Sequence, residues 1–203
     1  METQNFIYLA SQSPRRAELL QQIGVCFKCI EQNAPEIHQQ HENSQDFVLR
    51  LAQDKVMSGL QNVQSQLLPM APILASDTIV VIDGQILGKP DKQQDTLDML
   101  ALLSGRTHQV MTAIAIAQQD SAAEIIIKTA ISISAVEFAP ISAQQALTYW
   151  RSGEPQDKAG SYAIQGQGAV FVKALQGSYS GVMGLPLYET AQLLKQFSIS
   201  VLE

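Results

Sequence analysis

Ile73-Leu74-Ala75-Ser76-Asp77-Thr78-Ile79-Val80-Val81-Ile82, then Asp83-Gly84, then Gln85-Ile86-Leu87, is the stretch on which the fold turns. The apolar, β-branched run reads as a buried strand, Asp-Gly as a tight turn, and the next three residues as the returning arm of a hairpin. Gly88-Lys89-Pro90 breaks that arm. A hairpin here argues against an uninterrupted parallel sheet, and neither G-x-G-x-x-G nor a Walker sequence follows an early strand. Asp77 interrupts the apolar run, where a lone carboxylate is costly unless a cation or metal offsets it.

Outward from this strand, helices and strands alternate. Upstream, residues 7–10 read as a short buried strand and Ser11-Gln12-Ser13-Pro14 as a turn into a helix, with Ser13 as N-cap and Pro14 in the first helical position. Leu19, Leu20 and Ile23 give that helix an apolar face, and Gly24 ends it. Arg15 and Arg16 therefore fall in its first turn, at the positive end of the macrodipole, where each cation loses roughly 0.3–1 kcal/mol. An anion would offset that cost, and helix N–H groups beside two guanidinium forks would suit a polyphosphate. The alternative is that both arginines reach solvent or pair with acids such as Glu18. A strand over 25–30 precedes a polar loop and a helix over 44–59, capped by Ser44 and striped with Phe47, Val48, Leu51 and Val56.

Downstream come a helix over 92–103 stopped by Gly105, strands over 109–117 and 124–138, and a helix over 142–150. A glycine-rich polar segment over 157–168 leads to a strand over 169–175, a loop over 177–186 and a terminal helix over 187–197. This interleaving predicts an α/β fold with a mixed, strongly twisted sheet and flanking helices.

The chain has 203 residues, 46% hydrophobic and 16% charged, as expected of a soluble globular protein of one domain or two small lobes. Its net charge of −6, from 13 basic and 19 acidic residues, argues against broad nucleic-acid binding. It leaves room for a small phosphorylated ligand wherever a few cations converge. No apolar run approaches the ~20 residues that span a bilayer. No basic segment leads into an apolar one at the N-terminus, so a cytoplasmic protein without signal peptide or membrane partner is expected. Cys26 and Cys29 form a C-x-x-C followed by His38 and His41, but the histidines come too early and too close together for a zinc finger. Two reduced cysteines in a strand, and two solvated histidines, are the better reading.

Several motifs recur in a fixed order: L-A-S-Q-S-P-R-R at 9–16, A-S-D-T at 75–78, L-G-K-P at 87–90 and L-S-G-R-T-H-Q-V at 103–110. S-G-E-P-Q-D-K-A-G-S-Y-A-I-Q-G-Q-G-A at 152–169 and G-S-Y-S-G-V-M-G-L-P-L at 177–187 complete the series. Across essentially the whole chain this resembles the Maf family of nucleoside triphosphate pyrophosphatases, first linked to septum formation. Within it, S-P-R-R and A-G-x-Y-x-I-Q-G are similar to the branch acting on dTTP and UTP. The sister branch acting on 7-methyl-GTP typically has tryptophan at the position of Arg15 and glutamate at that of Gln165.

The resemblance implies one domain over 1–203, an inosine triphosphatase-like α/β fold of two lobes around a deep cleft, a cytoplasmic setting, a divalent metal and often a homodimer. It implies Asp77 as the catalytic carboxylate and Arg15, Thr78 and Gln165 as the positions that set base preference. Arg16, Lys55 and Lys89 join Arg15 as cations for the triphosphate, and Glu36 joins Asp77 as a candidate metal ligand, although Ala34-Pro35-Glu36-Ile37 matches the family's acidic loop poorly. Mg²⁺ is the expected ion, with Mn²⁺ as the alternative. Two further departures are Met111-Thr112-Ala113-Ile114 in place of T-G-V and Gly181 in place of a commoner asparagine.

The reaction so implied is attack of water on the α-phosphorus, giving the monophosphate and pyrophosphate. Asp77 would orient or deprotonate the water, or hold the metal. Gln165 suits uracil or thymine because an amide donates and accepts at once, matching the imide edge. Tyr162 and Tyr179 are read as packing residues. The rival readings are a nucleotide-binding regulator of septum formation without turnover, and an inosine or xanthosine triphosphate pyrophosphatase.

Overall fold

A computed structural model describes residues 6–120 and 122–201. Among them the order is β1 (Ile7–Leu9), α1 (Pro14–Gln22), β2 (Phe27–Cys29), α2 (Ser44–Ser65), β3 (Ile73–Ile82), β4 (Gln85–Leu87) and α3 (Gln93–Leu103). There follow β5 (Thr107–Gln119), β6 (Ile125–Phe138), α4 (Ala143–Arg151), three short 3-10 turns, β7 (Val172–Gln176), α5 (Tyr179–Met183) and α6 (Leu187–Gln196). Seven strands form one sheet in the order β2-β1-β3-β5-β6-β7, with β4 paired to β3 off this path. β1 runs parallel to β2 and β3, whereas β4 on β3 and β7 on β6 are antiparallel, so the sheet is mixed as the interleaved pattern predicts. Asp83 and Gly84 take φ of 50° and 78°, and Ile82 pairs with Gln85, so the two-residue hairpin is the one the sequence signals.

The chain divides into two compact units, the first made of Met1–Asp77, Thr112–Ser132 and Gly184–Glu203 and the second of Thr78–Met111 and Ile133–Met183. The boundary thus falls inside β3, between Asp77 and Thr78.

In the first unit, α2 buries Phe47, Val48, Leu51, Ala52, Val56, Leu60 and Val63. It does not stop at Gly59 but runs to Ser65. A Cβ on Gly59 would lie 2.9 Å from Ala10 Cβ and 3.2 Å from side-chain atoms of Ile30 and Ile73, so this glycine lets the helix backbone come close to the strands instead of ending it. Asn43, not Ser44, is the N-cap, and its side chain accepts from the Asp46 N–H at 2.9 Å. Ser13 occupies the N-cap of α1 without a side-chain cap bond. Its own N–H donates to Ser11 Oγ at 3.2 Å, and its carbonyl accepts from the Arg16 N–H at 3.2 Å. Gly24, at φ 71°, follows α1 as expected.

The second unit has its own core, in which Val80, Ile82 and Leu87 of the hairpin meet Leu100 and Leu103 of α3 and Val110, Val136 and Phe138 of β5 and β6. Ser142 caps α4 in a reciprocal capping box with Gln145. Residues 169–171 belong to the last 3-10 turn, so β7 begins only at Val172, and the loop expected over 177–186 contains α5. Likewise β2 is confined to Phe27–Cys29 within the expected strand, and Cys26 and Cys29 are exposed free thiols.

Candidate active site

Asp77 is buried in β3, 5% exposed, and the structure supplies the cation that its position demands. Lys55, 4% exposed, continues the apolar stripe of α2 one turn beyond Leu51 and is not the solvated helix residue that a lysine usually is. Its Nζ donates to Asp77 Oδ1 at 2.5 Å and to Glu36 Oε1 at 2.5 Å. The two carboxylate oxygens therefore lie within twice that distance of each other. Asp77 Oδ2 accepts no hydrogen bond among the described residues. Glu36, the least secure candidate by sequence, is thus brought directly to Asp77.

Glu36 reaches this position because its loop is tied down. Arg50 on α2 donates from Nη2 to the Ile37 carbonyl at 2.9 Å and holds Glu42 through Nε and Nη2 at 2.6 and 2.7 Å. Nη1 also reaches Asp54 at 2.9 Å. The Arg50 hydrogen bond pulls the Glu42 carboxyl down to about 2, while Glu42 in turn raises the guanidinium.

Arg15 and Arg16 occupy the first turn of α1, as the sequence predicts, and both are half-buried. Arg16 does not simply reach solvent: Nε donates to the Gly184 carbonyl at 2.9 Å and Nη1 to Ser11 Oγ at 3.1 Å. The same Gly184 carbonyl accepts from Ser76 Oγ at 2.9 Å, which fastens α1 beside the catalytic candidate's own strand. Burial lowers the Arg16 pKa; the charges of Asp77 and Glu36 oppose that shift and Arg15 adds to it. Five of the eight candidate residues, Arg15, Arg16, Glu36, Lys55 and Asp77, are therefore gathered or electrostatically linked within the first unit. An open cavity of about 280 Å³ is lined by Ser11, Gln12, Ser13, Pro14 and Ala17 with Cys29, Ile30 and Glu31.

The other three candidates belong to the second unit. Thr78 is half-buried in β3, and Lys89 is exposed after β4. Gln165 is exposed, and its amide has no hydrogen-bond partner among the described residues. It sits in a turn closed by the Gly166 N–H on the Ala163 carbonyl at 3.3 Å, above the buried Ile164. Tyr162 is buried and packs, as read, with ring contacts to Phe138 and His108; Tyr179 is exposed. Of the departures, Ala113 is fully buried and its carbonyl accepts from Ser76 Oγ, and the Gly181 N–H donates to Ser178 Oγ at 2.9 Å.

Two groups escaped the sequence reading. His108 is 2% exposed, with Nε2 on the Tyr162 hydroxyl at 2.9 Å and Nδ1 without a partner. Burial pushes its pKa down to about 4. It shares the inward face of β5 with Val110, two residues on, and that parity was the available signal. Glu154 enters the sequence reading only as a letter of the 152–169 motif, yet its carboxylate accepts from Tyr149, Gln167 and Gly168.

Glu36 and Asp77 offer only carboxylate oxygens, the donors that suit a hard divalent cation. Mg²⁺ is commonly held by one or two carboxylates together with phosphate oxygens. No group of three or more His, Cys, Asp or Glu gathers among the described residues, so a closed all-protein cage is not formed. Nor, among them, is any helix long and apolar enough to cross a membrane.

Comparison with known proteins agrees with the motif order. A "dTTP/UTP pyrophosphatase" of Aliivibrio fischeri is 50% identical over 197 residues, covering 97% of this chain and all of that protein. A "Nucleoside triphosphate pyrophosphatase" of Xylella fastidiosa is 48% identical over 195 residues, 96% of this chain and all of its own. Among solved structures, a HAM1 protein from Coxiella burnetii aligns over 94% of this chain and 98% of its own with a TM-score of 0.44 and 17% identity, too distant a likeness to bear on chemistry. The family model described as Maf-like protein matches residues 6–197, and with it the chain belongs to the Maf family.

Proposed function

We propose that this protein hydrolyses nucleoside triphosphates, dTTP and UTP foremost, to the nucleoside monophosphate and pyrophosphate. The observation that carries the reading is the full-length identity of 50% to a dTTP/UTP pyrophosphatase. The Glu36–Lys55–Asp77 cluster and the two arginines of α1 support the same chemistry.

Water attacks the α-phosphorus, the bond from that phosphorus to the α,β-bridging oxygen breaks, and pyrophosphate leaves with the electron pair. Asp77 orients the water and takes its proton through Oδ2, which accepts no hydrogen bond among the described residues. Lys55 holds Asp77 in place, its buried ammonium donating to Oδ1 at 2.5 Å. Arg15, Arg16 and Lys89 bind the phosphates and offset the charge that accumulates on the leaving group. A divalent cation, Mg²⁺ first and Mn²⁺ as the alternative, would be held by Glu36 and Asp77 and would supply further charge neutralisation. Gln165 reads the imide edge of uracil or thymine with one donor and one acceptor, and Arg15 and Thr78 contribute to the base preference. The cytoplasm is the compartment we propose for this reaction.

The test is incubation of the purified protein with Mg²⁺ and, separately, dTTP, UTP, CTP, dATP, dGTP, ITP and 7-methyl-GTP, resolving pyrophosphate from orthophosphate. Pyrophosphate from dTTP and UTP, abolished in Asp77→Asn, is expected. Turnover mainly of a purine nucleotide would overturn the base assignment, and binding without turnover would overturn the enzyme reading.

A further inference from the structure

Residues 163–168, which carry Gln165, are held by two side chains that nothing in the reaction requires. Tyr149 of α4 is buried, and its hydroxyl donates to Glu154 Oε1 at 2.6 Å while accepting from the Ala163 N–H at 3.1 Å. Glu154 Oε1 also accepts from the Gly168 N–H at 3.0 Å, and Oε2 from the Gln167 N–H at 2.9 Å. The loop is thus pinned on both sides of Gln165. The fit is close enough to dictate the sequence: a Cβ on Gly166 would fall 2.2 Å from Glu154 Oε2, and one on Gly168 would fall 2.6 Å from the Tyr149 hydroxyl.

A glutamate that served only to close a helix end would need none of these bonds. Burial raises the Glu154 pKa, but the hydrogen bonds from Tyr149, Gly168 and Gln167 and the charge of Lys158 outweigh it, so the group lies below the ordinary carboxylate range. At neutral pH the loop N–H groups therefore donate to an ionised acceptor, the stronger kind of hydrogen bond.

We propose that Glu154 and Tyr149 are positioning residues that set base selectivity by fixing the backbone from which Gln165 reads the base. The proposal rests on Gln165 being the base-reading residue. Selectivity needs this support for a chemical reason. The amide meets both the N3–H and a carbonyl of the imide edge only when its backbone sets it at the right distance and angle. On a loose loop it loses that paired contact, and with it the advantage over a cytosine edge. A backbone tied at Ala163, Gln167 and Gly168 limits where its donor and acceptor fall.

The experiment measures kcat and KM for dTTP and dCTP in the wild type, Glu154→Gln, Tyr149→Phe, Gln165→Ala and the Glu154→Gln/Gln165→Ala double variant, with Tm recorded for each. In Glu154→Gln the new amide turns a donor toward either Gln167 N–H or Gly168 N–H, so one tie is lost whichever way it lies. The kcat/KM ratio of dTTP over dCTP is expected to fall about tenfold, the worth of one well-placed hydrogen bond, with most of the change in KM. Tyr149→Phe moves the same ratio in the same direction. In the Gln165→Ala background Glu154→Gln causes no further loss of selectivity, because the group it positions is gone. A uniform loss on both nucleotides with the ratio unchanged would overturn the proposal, as would additive effects in the double variant. If Gln165→Ala itself leaves the ratio unchanged, the base-reading assignment falls and this inference with it. If Gln165→Ala changes the ratio and the other two variants do not, the positioning role alone falls. Should Glu154→Gln fail to fold, Tyr149→Phe, alone and combined with Gln165→Ala, carries the same test.

Discussion

His108 makes the protein's stability pH-dependent in a way that can be worked out beforehand. It is buried against Phe138 and Tyr162, and its pKa falls from the ordinary 6.5 to about 4. Protonating it in the folded state would leave a charged N–H at Nδ1 with no acceptor. The unfolded chain takes up that proton readily near its ordinary pKa, while the folded chain refuses it until about pH 4. Stability is therefore complete above the unfolded value, falls as pH drops through the interval between the two, and levels off below the folded one. At 1.36 kcal/mol per pKa unit the whole penalty is about 3 kcal/mol, of which about 2 kcal/mol is incurred between about pH 7 and about pH 5.

His108→Gln keeps a partner for the Tyr162 hydroxyl and cannot titrate. Denaturant unfolding, followed by the emission of the sole tryptophan, Trp150, would be measured for both proteins at the two pH values. Carboxylates titrate in both proteins, so the difference between their losses isolates the imidazole. The wild type is expected to lose about 2 kcal/mol more than the variant on acidification. Equal losses would refute the reasoning and mean that the folded state accommodates the imidazolium.

Lys55→Met retains the stem in the apolar stripe but leaves two carboxylates facing each other, and removing one partner of a buried pair predicts a loss of about 3–5 kcal/mol at neutral pH. A loss below about 1 kcal/mol in urea unfolding would mean that Lys55 is bound no more firmly than a surface ion pair. Gly160→Ala combines φ 66° with a Cβ 2.8 Å from Val80 Cγ2, whereas Gly24→Ala has φ 71° and open space. The first should lose at least about 2 kcal/mol and the second about 1 kcal/mol, so indistinguishable urea midpoints would contradict the packing around Val80.

The parts of the fold legible in the sequence are those fixed by local chemistry. β3 and its turn follow from a β-branched run ending at Asp-Gly, and the first turn of α1 from Ser-Pro ahead of a periodic face. Asp77 was conspicuous because its polarity contradicts its surroundings. Lys55 carries the same contradiction in helical phase with Leu51, yet a lysine on a helix looks ordinary until its partners are seen. Gly59 was misread because a glycine that ends a helix and one that admits a neighbouring strand look identical in one dimension; only the approach of Ala10 and Ile73 separates them. Asn43 and Ser44 are equally good caps by type, and backbone geometry decided between them. Glu154 was out of reach for another reason: besides the Tyr149 hydroxyl, its partners are the main-chain N–H groups of Gln167 and Gly168, which leave no mark in a sequence of side chains.

The Gly184 carbonyl binds Arg16 across 168 residues and Ser76 across 108. Contacts that close such long loops form late, because the entropy of closure must be met before they contribute anything. A chain emerging from synthesis can wind α1 as soon as its first turns exist, and the guanidinium at its head can reach Ser11 locally, yet its bond to the Gly184 carbonyl waits until the stretch before α6 arrives. Arg16, one of the phosphate-binding groups proposed here, thus gains its long-range hydrogen bond only once the stretch around Gly184 has docked.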